Sequence, residues 1–270
     1  MTLDDGSVPQ PPVDMLAGST AGWFFTILVG IPAVACYIWA IWWSIRRRDP
    51  LPLLCMLIGF ASSFIEPIVD VLGHVWWPVD LPLELFTLYD RHIYLFVGLG
   101  YSFFPGLASW LVYRYFLTKP TKRDMLAKFI PFAVVTTVFE IPGLLAGVYV
   151  YYGDQPFEVL GYPLWWPVIN NVAPLLGGGL MLLAAPLLTG WRRMALALAV
   201  PIGYGGAYGA VAWPTFAALN LPVPAWVQWI AAVITIAMCA LIGLAIVQLV
   251  ARDAQVGTQE ATSPTVSHLQ

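Results

Sequence analysis

The chain is divided into seven apolar blocks, each about as long as a helix that crosses a membrane. Such a helix needs roughly 20 apolar residues, because the hydrocarbon layer is about 30 Å thick. The blocks lie between clusters of charge or proline and run over residues 22–45, 51–73, 92–117, 128–151, 166–190, 194–217 and 226–250. Only 10% of the chain is charged, which is too little to cover a water-facing surface. The sequence therefore predicts an all-α, polytopic bundle of seven transmembrane helices in the cell membrane.

The Lys and Arg residues predict how this bundle is oriented. They number 12, and Arg91 alone lies on the opposite side from the others. The others are Arg46, Arg47, Arg48, Arg114, Lys119, Lys122, Arg123, Lys128, Arg192, Arg193 and Arg252. Because short basic loops face the cytoplasm, we expect the N-terminus outside the cell and the C-terminus in the cytoplasm. An arrangement with six or eight spans would distribute the basic residues over both sides of the membrane.

The two ends of the chain differ in composition from the blocks. Residues 1–20 are acidic and Pro-rich, and residues 252–270 are polar with few apolar side chains. Segments of this kind do not bury enough apolar surface to fold. We predict disorder in both, on either side of a membrane domain of residues 21–251. The pattern leaves the oligomeric state open.

Acidic residues inside the apolar blocks are the strongest functional signal. A charge at membrane depth is costly, so it marks a functional site by default. Glu66, Asp70 and His74 follow one another at a spacing of four, which puts them on one face of the second helix. At about 1.5 Å per residue from Leu51, Glu66 lies roughly 22 Å across the bilayer and Asp70 about 28 Å. The sequence thus predicts a polar stripe that descends from the outer side.

Glu140 is a further buried acid, in the fourth block. Counted from Lys128 it lies roughly 18 Å in, and no basic residue stands three or four positions away. Burial without a cation favours the protonated form of a carboxyl group, and a neutral carboxylic acid in an apolar pocket can donate a proton. Glu66, Asp70 and Glu140 are therefore the candidate catalytic residues.

Other polar and aromatic side chains fall at a similar depth, in the outer halves of the blocks. We expect them to bind the substrate, and they are His74, Tyr101, Trp166, Asn170, Asn171, Tyr204, Tyr208 and Trp213. For the Asn and Tyr residues, hydrogen bonds that only hold the helices together are an alternative. The outer loops also hold more Trp and Tyr than the usual aromatic belt requires, which indicates a structured outer vestibule.

Proline and glycine inside the blocks have two interpretations. Pro105, Pro174 and the run Gly177-Gly178-Gly179 are examples. Kinks at such residues can open a cavity. Small residues also let membrane helices pack closely. The sequence leaves both interpretations open.

Motifs for metal, nucleotide or redox chemistry are missing from the sequence. It has no HExxH, no paired-cysteine motif, no Walker loop, no GxSxG elbow and no GxGxxG after a strand. An ion held by Glu66, Asp70, His74 and His92 is an alternative, and otherwise we expect neither a metal nor a cofactor. The three cysteines lie in apolar blocks and are expected to be core residues. The net charge of −3 gives no reason to expect nucleic-acid binding.

The chemistry that remains is proton transfer to a lipophilic substrate. A protonated carboxyl can start a cationic cyclisation or isomerisation, and a second carboxylate can take the proton back. The faces of Tyr and Trp can stabilise the positive charge that forms in between. We therefore expect a cyclase or isomerase that acts on an isoprenoid-like molecule.

The stretch Glu66-Pro67-Ile68-Val69-Asp70, in seven spans without a cofactor motif, resembles the small integral-membrane terpene cyclases. These are the fungal meroterpenoid cyclases and the bacterial cyclases of prenylated indole-type substrates. The resemblance implies that an acid in the second span, here Glu66, protonates an alkene or epoxide of a prenyl chain. The fungal members carry a second acid late in the chain, whereas no Asp or Glu lies between Arg192 and Arg252, so Glu140 would take that role. The chain is also similar to the AveC-type membrane spirocyclases of polyketide pathways, which are acid-assisted ring formers.

Two other functions use the same features. A proton-coupled or solute carrier would also hold Glu66, Asp70 and Glu140 at membrane depth, and it predicts access from both sides and usually an inverted repeat. An assembly factor without chemistry is the second. A retinal protein is excluded, because residues 225–250 contain no Lys for a Schiff base.

Overall fold

The computed structural model describes residues 8–262. Seven segments within them are long and apolar enough to cross a membrane, and they run over Ser19–Arg47, Leu51–Gly73, Leu95–Phe116, Lys122–Leu145, Trp166–Ala184, Gly190–Val211 and Ala225–Ala251. The described chain is mostly helical, as predicted, and the predicted number of long apolar helices is confirmed.

Several of these seven spans are built from more than one element. The helices are α1 (Ser19–Arg47), α2 (Leu51–Ser62), α3 (Glu66–Gly73), α4 (Leu95–Tyr101), α5 (Ala108–Phe116), α6 (Lys122–Leu145), α7 (Trp166–Ala184), α8 (Ala199–Gly205), α9 (Trp213–Leu219) and α10 (Ala225–Thr262). Ser63–Ile65 and Gly190–Leu198 have 3-10 geometry, whereas Ser102–Leu107 and Gly206–Val211 have π geometry. The second, third and sixth spans are therefore interrupted, and the others are continuous.

The strands of the described chain are short and lie at one end of the bundle, which we call the strand end. They are β1 (Val75–Trp76), β2 (Glu84–Leu88), β3 (Arg91–Tyr94), β4 (Val150–Tyr151), β5 (Glu158–Val159) and β6 (Tyr162–Pro163). All pairs are antiparallel: β2 with β3, β5 with β6, and β1 with β4. The β1–β4 pair joins two loops that are distant in sequence. The opposite end, which we call the basic end, carries the loops with Arg46, Lys119 and Arg192.

The fourth span begins at Lys122 and not at residue 128 as predicted. Thr121 caps the helix: its Oγ1 accepts the backbone N–H of Asp124 at 3.2 Å, and the Asp124 carboxylate accepts the Thr121 N–H in return. This capping box starts the helix inside the basic loop, so Lys128 lies within it. Counted from Lys122, Glu140 lies roughly 27 Å along the helix. It is therefore close to the strand end and not at the middle of the span.

The third and sixth spans also differ from their predicted bounds: the third is shorter, and the sixth begins and ends earlier in the sequence, at Gly190–Val211 instead of 194–217. Residues 92–94 belong to strand β3, and α4 begins at Leu95 after an extended Tyr94 (φ −102, ψ 158). The sixth span ends at Val211, and α9 starts separately at Trp213. Residues 92–94 therefore belong to a strand, and Trp213 belongs to a separate short helix beyond the sixth span.

Parts of the two predicted disordered ends are described. Residues 8–18 form no helix or strand, and the backbone N–H groups of Ala17 and Gly18 donate to the Asp80 carboxylate at 2.9 and 2.7 Å. At the other end, α10 continues to Thr262 and includes residues 252–262, and disorder of the tail stays a prediction. An existing helix extends at little cost, which composition alone does not indicate. Residues 1–7 and 263–270 lie outside the described residues.

Glycines let the central helices pack backbone to backbone. A Cβ atom on Gly203 of α8 would lie 2.5 Å from the nitrogen of Gly177 and 2.8 Å from the carbonyl oxygen of Ala173. A Cβ atom on Gly178 would likewise lie 2.5 Å from the Val112 side chain of α5. The glycines therefore serve close helix contact, which is the packing interpretation.

Replacing Gly203 with Ala should lower the free energy of unfolding by about 3 kcal/mol or more, because the new methyl group meets backbone that does not yield. Gly205, two residues further along the same helix, has no atom within 4 Å of a Cβ placed there. Gly205→Ala is therefore the matched control and should keep the wild-type melting temperature in detergent. Equal melting temperatures for the two variants would contradict this packing.

One proline does coincide with an opening. Phe104, directly before Pro105, has non-helical angles (φ −121, ψ 116) that break the third span. Phe103 and Phe104 line a cavity at this break. By contrast, α7 runs through Pro174 without interruption. The cavity interpretation thus applies to Pro105 and not to prolines in general.

Candidate active site

A cavity of about 310 Å³ lies among the first six spans, towards the strand end. Two carboxylic acids face it, Glu66 from α3 and Glu140 from α6. The rest of its wall is mainly apolar or aromatic, and includes Phe25, Val29, Val75, Trp77, Phe96, Val97, Phe103, Phe104, Phe132, Val135, Phe139 and Trp166. An apolar chamber with a few convergent polar groups is the usual form of a small-molecule site.

Glu66 is held by two tyrosine hydroxyls. Its Oε2 accepts from Tyr204 at 3.0 Å and from Tyr101. The two hydroxyl oxygens also lie against each other, and because each carries one proton, a hydroxyl that donates to its neighbour does not donate to Glu66 at the same time. Its Oε1 has no hydrogen-bond partner among the described residues. Glu66 is only 9% exposed. One carboxyl oxygen is therefore fixed by the protein, and the other is left for a ligand.

Glu140 is held by four donors. Its Oε1 accepts from the Asn170 amide at 2.7 Å and from the Tyr162 hydroxyl at 3.0 Å. Its Oε2 accepts from Tyr149 at 3.1 Å and Tyr151 at 3.4 Å. Burial raises the pKa of these three tyrosines well above the usual range, and the nearby Glu140 raises it further. Their hydroxyls stay protonated and act as donors, so both carboxyl oxygens of Glu140 are occupied.

Polar side chains nearly connect the two acids. Tyr208 donates to the Asn170 Oδ1, and Asn170 in turn donates to Glu140. On the other side Tyr204 donates to Glu66. The rings of Tyr204 and Tyr208 are in contact, with their centroids 4.4 Å apart and their planes tilted by 30°. The two hydrogen-bonded groups therefore meet along one face of the sixth span.

The structure brings most of the predicted site residues together. The ones that line the cavity are Glu66, Tyr101, Glu140, Trp166, Asn170, Tyr204 and Tyr208. They come from five different spans, so the predicted common depth corresponds to a common chamber.

Four predicted site residues do not line the cavity. Asp70 is fully buried, and its Oδ2 accepts the indole N–H of Trp77 at 3.0 Å. His74 is the left-handed residue that ends α3 (φ 57) and is 2% exposed. Asn171 turns away from Asn170 and donates to the Pro167 carbonyl of its own helix at 2.6 Å. The last of the four points outwards: Trp213 opens α9 and is 55% exposed.

Asp70 and His74 belong to a second buried polar cluster behind Trp77. The His74 ring stacks on Tyr152 with centroids 4.9 Å apart, and the Tyr152 hydroxyl accepts from Arg91 at 3.0 Å. Arg91 is 6% exposed and lies over the Trp76 ring. This cluster ties the end of α3 to the loops of the strand end.

The stability of the protein should depend on the protonation of His74. Burial, with a contribution from the Arg91 charge, lowers the pKa of His74 from 6.5 to about 4. Between these pH values the unfolded chain binds more protons than the folded one. The contribution of neutral His74 to the free energy of unfolding is therefore fully present above pH 6.5. It is lost as the pH falls towards 4, which lowers the free energy of unfolding by up to about 3 kcal/mol.

This pH dependence can be checked by thermal unfolding in detergent between pH 4 and 7.5. His74→Asn should flatten the acid side of the curve, since Asn tolerates the left-handed conformation and does not titrate. His92→Asn removes a histidine that is less buried, in the β2–β3 hairpin, and should keep the wild-type slope. A wild-type slope in His74→Asn would contradict the role of His74.

The tyrosines around Glu140 were not predicted as site residues. Tyr149, Tyr151 and Tyr162 surround Glu140. Tyr151 and Tyr162 are part of the excess of aromatic residues in the outer loops, so that excess was a usable signal. Along α6 the lining residues Phe132, Thr136 and Phe139 recur at helical spacing, but the uniformly apolar block hides them.

The alternative ion site is not formed. Among residues 8–262 no group of three or more His, Cys, Asp or Glu could hold a metal ion. His92 pairs with Glu84 at 3.2 Å in the β2–β3 hairpin and is partly exposed. Glu66 faces the cavity, whereas Asp70 and His74 lie in the second cluster.

No protein-family model, curated protein or solved structure matches the chain.

Proposed function

We propose that the chain is a multi-pass membrane protein with its strand end outside the cell and its basic end in the cytoplasm. Seven long apolar helices support insertion, and the gathering of 11 of the 12 Lys and Arg on one side supports the orientation. The cavity then lies in the outer half of the bilayer.

Within this membrane protein, we propose a cyclase or isomerase that protonates an isoprenoid-like substrate. One observation carries the proposal: two carboxylic acids face the same apolar, aromatic cavity, and their hydrogen-bond surroundings differ. Acid and base roles often fall on pairs of titratable groups whose environments differ in this way. The resemblance to membrane terpene cyclases and spirocyclases agrees with it.

Glu66 is the proposed acid. It is buried without a direct ionic partner, and Asp70 one turn away disfavours a second negative charge. In the proposed step the proton of Oε1 moves to one carbon of a substrate alkene, and the other carbon becomes a carbocation. The π electrons of a second alkene then form the new carbon–carbon bond and close a ring.

Glu140 is the proposed base. Four donors favour the charged form of a carboxyl group, and a carboxylate attracts a carbocation across the cavity. Glu140 then removes a proton next to the final cation, which restores an alkene. One proton is added and one removed, so the product is an isomer of the substrate. Before the next turnover Glu140 releases this proton and Glu66 takes one up.

Aromatic side chains supply the wall along which the cation moves. Phe25 packs edge-on against Phe96 at 5.3 Å between centroids, and Trp77 lies 4.6 Å from Tyr149. Aromatic faces attract a cation through their quadrupole. Phe25 and Phe96 carry no heteroatom that could trap it, and the Tyr149 hydroxyl is engaged in its hydrogen bond to Glu140. The wall therefore favours rearrangement of the carbocation over its capture by a nucleophile.

The test is a product assay in membranes. The full chain is expressed in a host whose membranes contain polyprenyl alcohols and prenylated quinols, and lipid extracts are compared with those of an empty-vector strain by chromatography and mass spectrometry. We expect a new compound with the mass of its precursor and one alkene fewer for each ring. Unchanged lipids in a membrane that holds the folded protein would contradict the proposal.

A carrier is the second candidate, because buried carboxyls inside a bundle also mark proton-coupled transport. It predicts no new lipid, but proteoliposomes containing the chain would dissipate an imposed proton or solute gradient. The lipid profile of the host membranes and the gradient measurement in proteoliposomes together separate the two functions.

A further inference from the structure

One face of α6 lines the cavity although most of this helix is poorly buried. Phe132, Val135, Thr136 and Phe139 follow the i, i+3, i+4, i+7 spacing of a single helical face and all line the cavity. Yet the buried residues of α6 are Met125 and Gly143, and Val135 is 63% exposed. A residue that lines the cavity and is also exposed marks a place where the cavity opens sideways.

The two ends of this opening are closed by contacts of α6. Towards the strand end Gly143 lies against α1, where a Cβ atom would be 2.7 Å from the Phe25 ring. Towards the basic end the Phe129 ring packs edge-on against Phe116 of α5 at 6.3 Å between centroids.

Phe139 also packs edge-on against Phe103 of the third span at 6.1 Å between centroids. The opening therefore lies between residues 129 and 139, over which the helix rises about 15 Å. We call this gap, between α6 on one side and α1 with the broken third span on the other, the side window.

The strand end closes the cavity on its other side. The lining residues there are each at most 8% exposed, and they are Phe25, Val75, Trp77, Tyr149, Tyr151 and Trp166. The β1–β4 pair fixes two of them, since Val75 pairs directly with Tyr151. A molecule that arrives from the aqueous side would have to displace this aromatic layer.

We propose that the ligand of this cavity enters from the bilayer through the side window. The proposal rests on the proposed membrane insertion, and it deepens the proposed function by naming the class of substrate: a molecule dissolved in the bilayer by a long apolar chain. A cavity of about 310 Å³ is at the small end of ligand sites. The reacting end of the chain therefore lies between Glu66 and Glu140, and the remainder extends through the window between α1 and α6.

The test uses a lipid that reaches the cavity only from the side. The purified full chain is reconstituted in nanodiscs of phosphatidylcholine that carries a diazirine near the end of one acyl chain. After irradiation, the labelled residues are mapped by mass spectrometry. We expect label on cavity residues such as Phe103 and Phe139, as well as on Val134, which is 56% exposed on the outer face of α6.

A bulky residue in the window should block this labelling. In Val135→Trp we expect loss of the label at Phe103 and Phe139, with labelling of Val134 unchanged. Val138→Trp is the matched control: Val138 is 57% exposed on the same helix and does not line the cavity. This control should label as the wild type does, and equal melting temperatures of the two variants show that the fold is kept.

Two outcomes would overturn access from the side. One is an unlabelled cavity in the wild-type protein, and the other is a labelled cavity in Val135→Trp. Labelling does not require turnover, so Glu66→Gln should give the wild-type pattern. A labelled cavity without any lipid product would therefore contradict the proposed enzyme activity and still support entry through the side window.

Discussion

Replacing Glu66 with Gln is expected to lower the rate of product formation by about 100- to 10,000-fold, the usual contribution of a general acid. Gln has the shape of Glu, and its carbonyl oxygen can still accept the hydroxyls of Tyr101 and Tyr204. The amide N–H is far too weak an acid to protonate an alkene. The measurement is the initial rate in the membrane assay, divided by the amount of folded protein from size-exclusion chromatography.

Two other acids make this result interpretable. Glu84 lies in the β2–β3 hairpin beside His92 and away from the cavity, so Glu84→Gln should keep the wild-type rate. Asp70 is the other sequence-predicted acid of the second span, and Asp70→Asn still accepts the indole N–H of Trp77. A full rate in Glu66→Gln together with no product in Asp70→Asn would move the initiating role to Asp70.

The helical architecture could be predicted because apolar length and the position of basic residues act over whole spans. The predictions that were wrong concern the ends of helices, which single residues determine. Thr121 and Asp124 start the fourth helix within a charged loop, where composition indicates an end. His92 and Tyr94 lie in a strand because β3 pairs with β2, and a pairing between segments cannot be derived from the hydropathy of either one.

The polar stripe of the second span shows where helical periodicity stops being sufficient. Each step of four residues rotates a side chain by about 40°. Glu66 faces the cavity, and this rotation is enough to put Asp70 behind Trp77. His74 has left the helix altogether, since it adopts the left-handed conformation that ends α3. The spacing predicted that the three side chains point in one direction. Which of them lines the cavity depends on the segments packed against the helix.

The surroundings of Glu140 were the least predictable part of the site. The sequence shows no basic residue near it along its own helix. Its hydrogen-bond donors come from other segments of the chain. Tyr151 reaches it because β4 pairs with β1, and Tyr162 because β6 pairs with β5. Asn170 belongs to the next span. Four donors from three segments therefore change the chemistry of an acid that looks isolated in the sequence.

Replacing Glu140 with Gln should change the products and not only the rate. Asn170 can present only its N–H group to Oε1, so the Gln carbonyl should take the Oε1 side. The amide N–H₂ then faces Tyr149 and Tyr151, whose hydroxyls can turn and accept. The hydrogen bonds around residue 140 are thereby kept. The negative charge and the proton acceptor are both lost.

With the base removed, the cation formed at Glu66 should lose its proton elsewhere or capture water. We expect about a 100-fold lower rate and a product mixture with shifted alkenes or an added hydroxyl group, measured by mass spectrometry. In D₂O the proton delivered by Glu66 is a deuteron, so products of Glu140→Gln should still carry deuterium, whereas Glu66→Gln should incorporate none. Glu158→Gln, an exposed acid of β5, is the control and should keep the wild-type product ratio. A wild-type ratio in Glu140→Gln would remove Glu140 from the final step, and loss of deuterium uptake in that variant would make it the initiating acid.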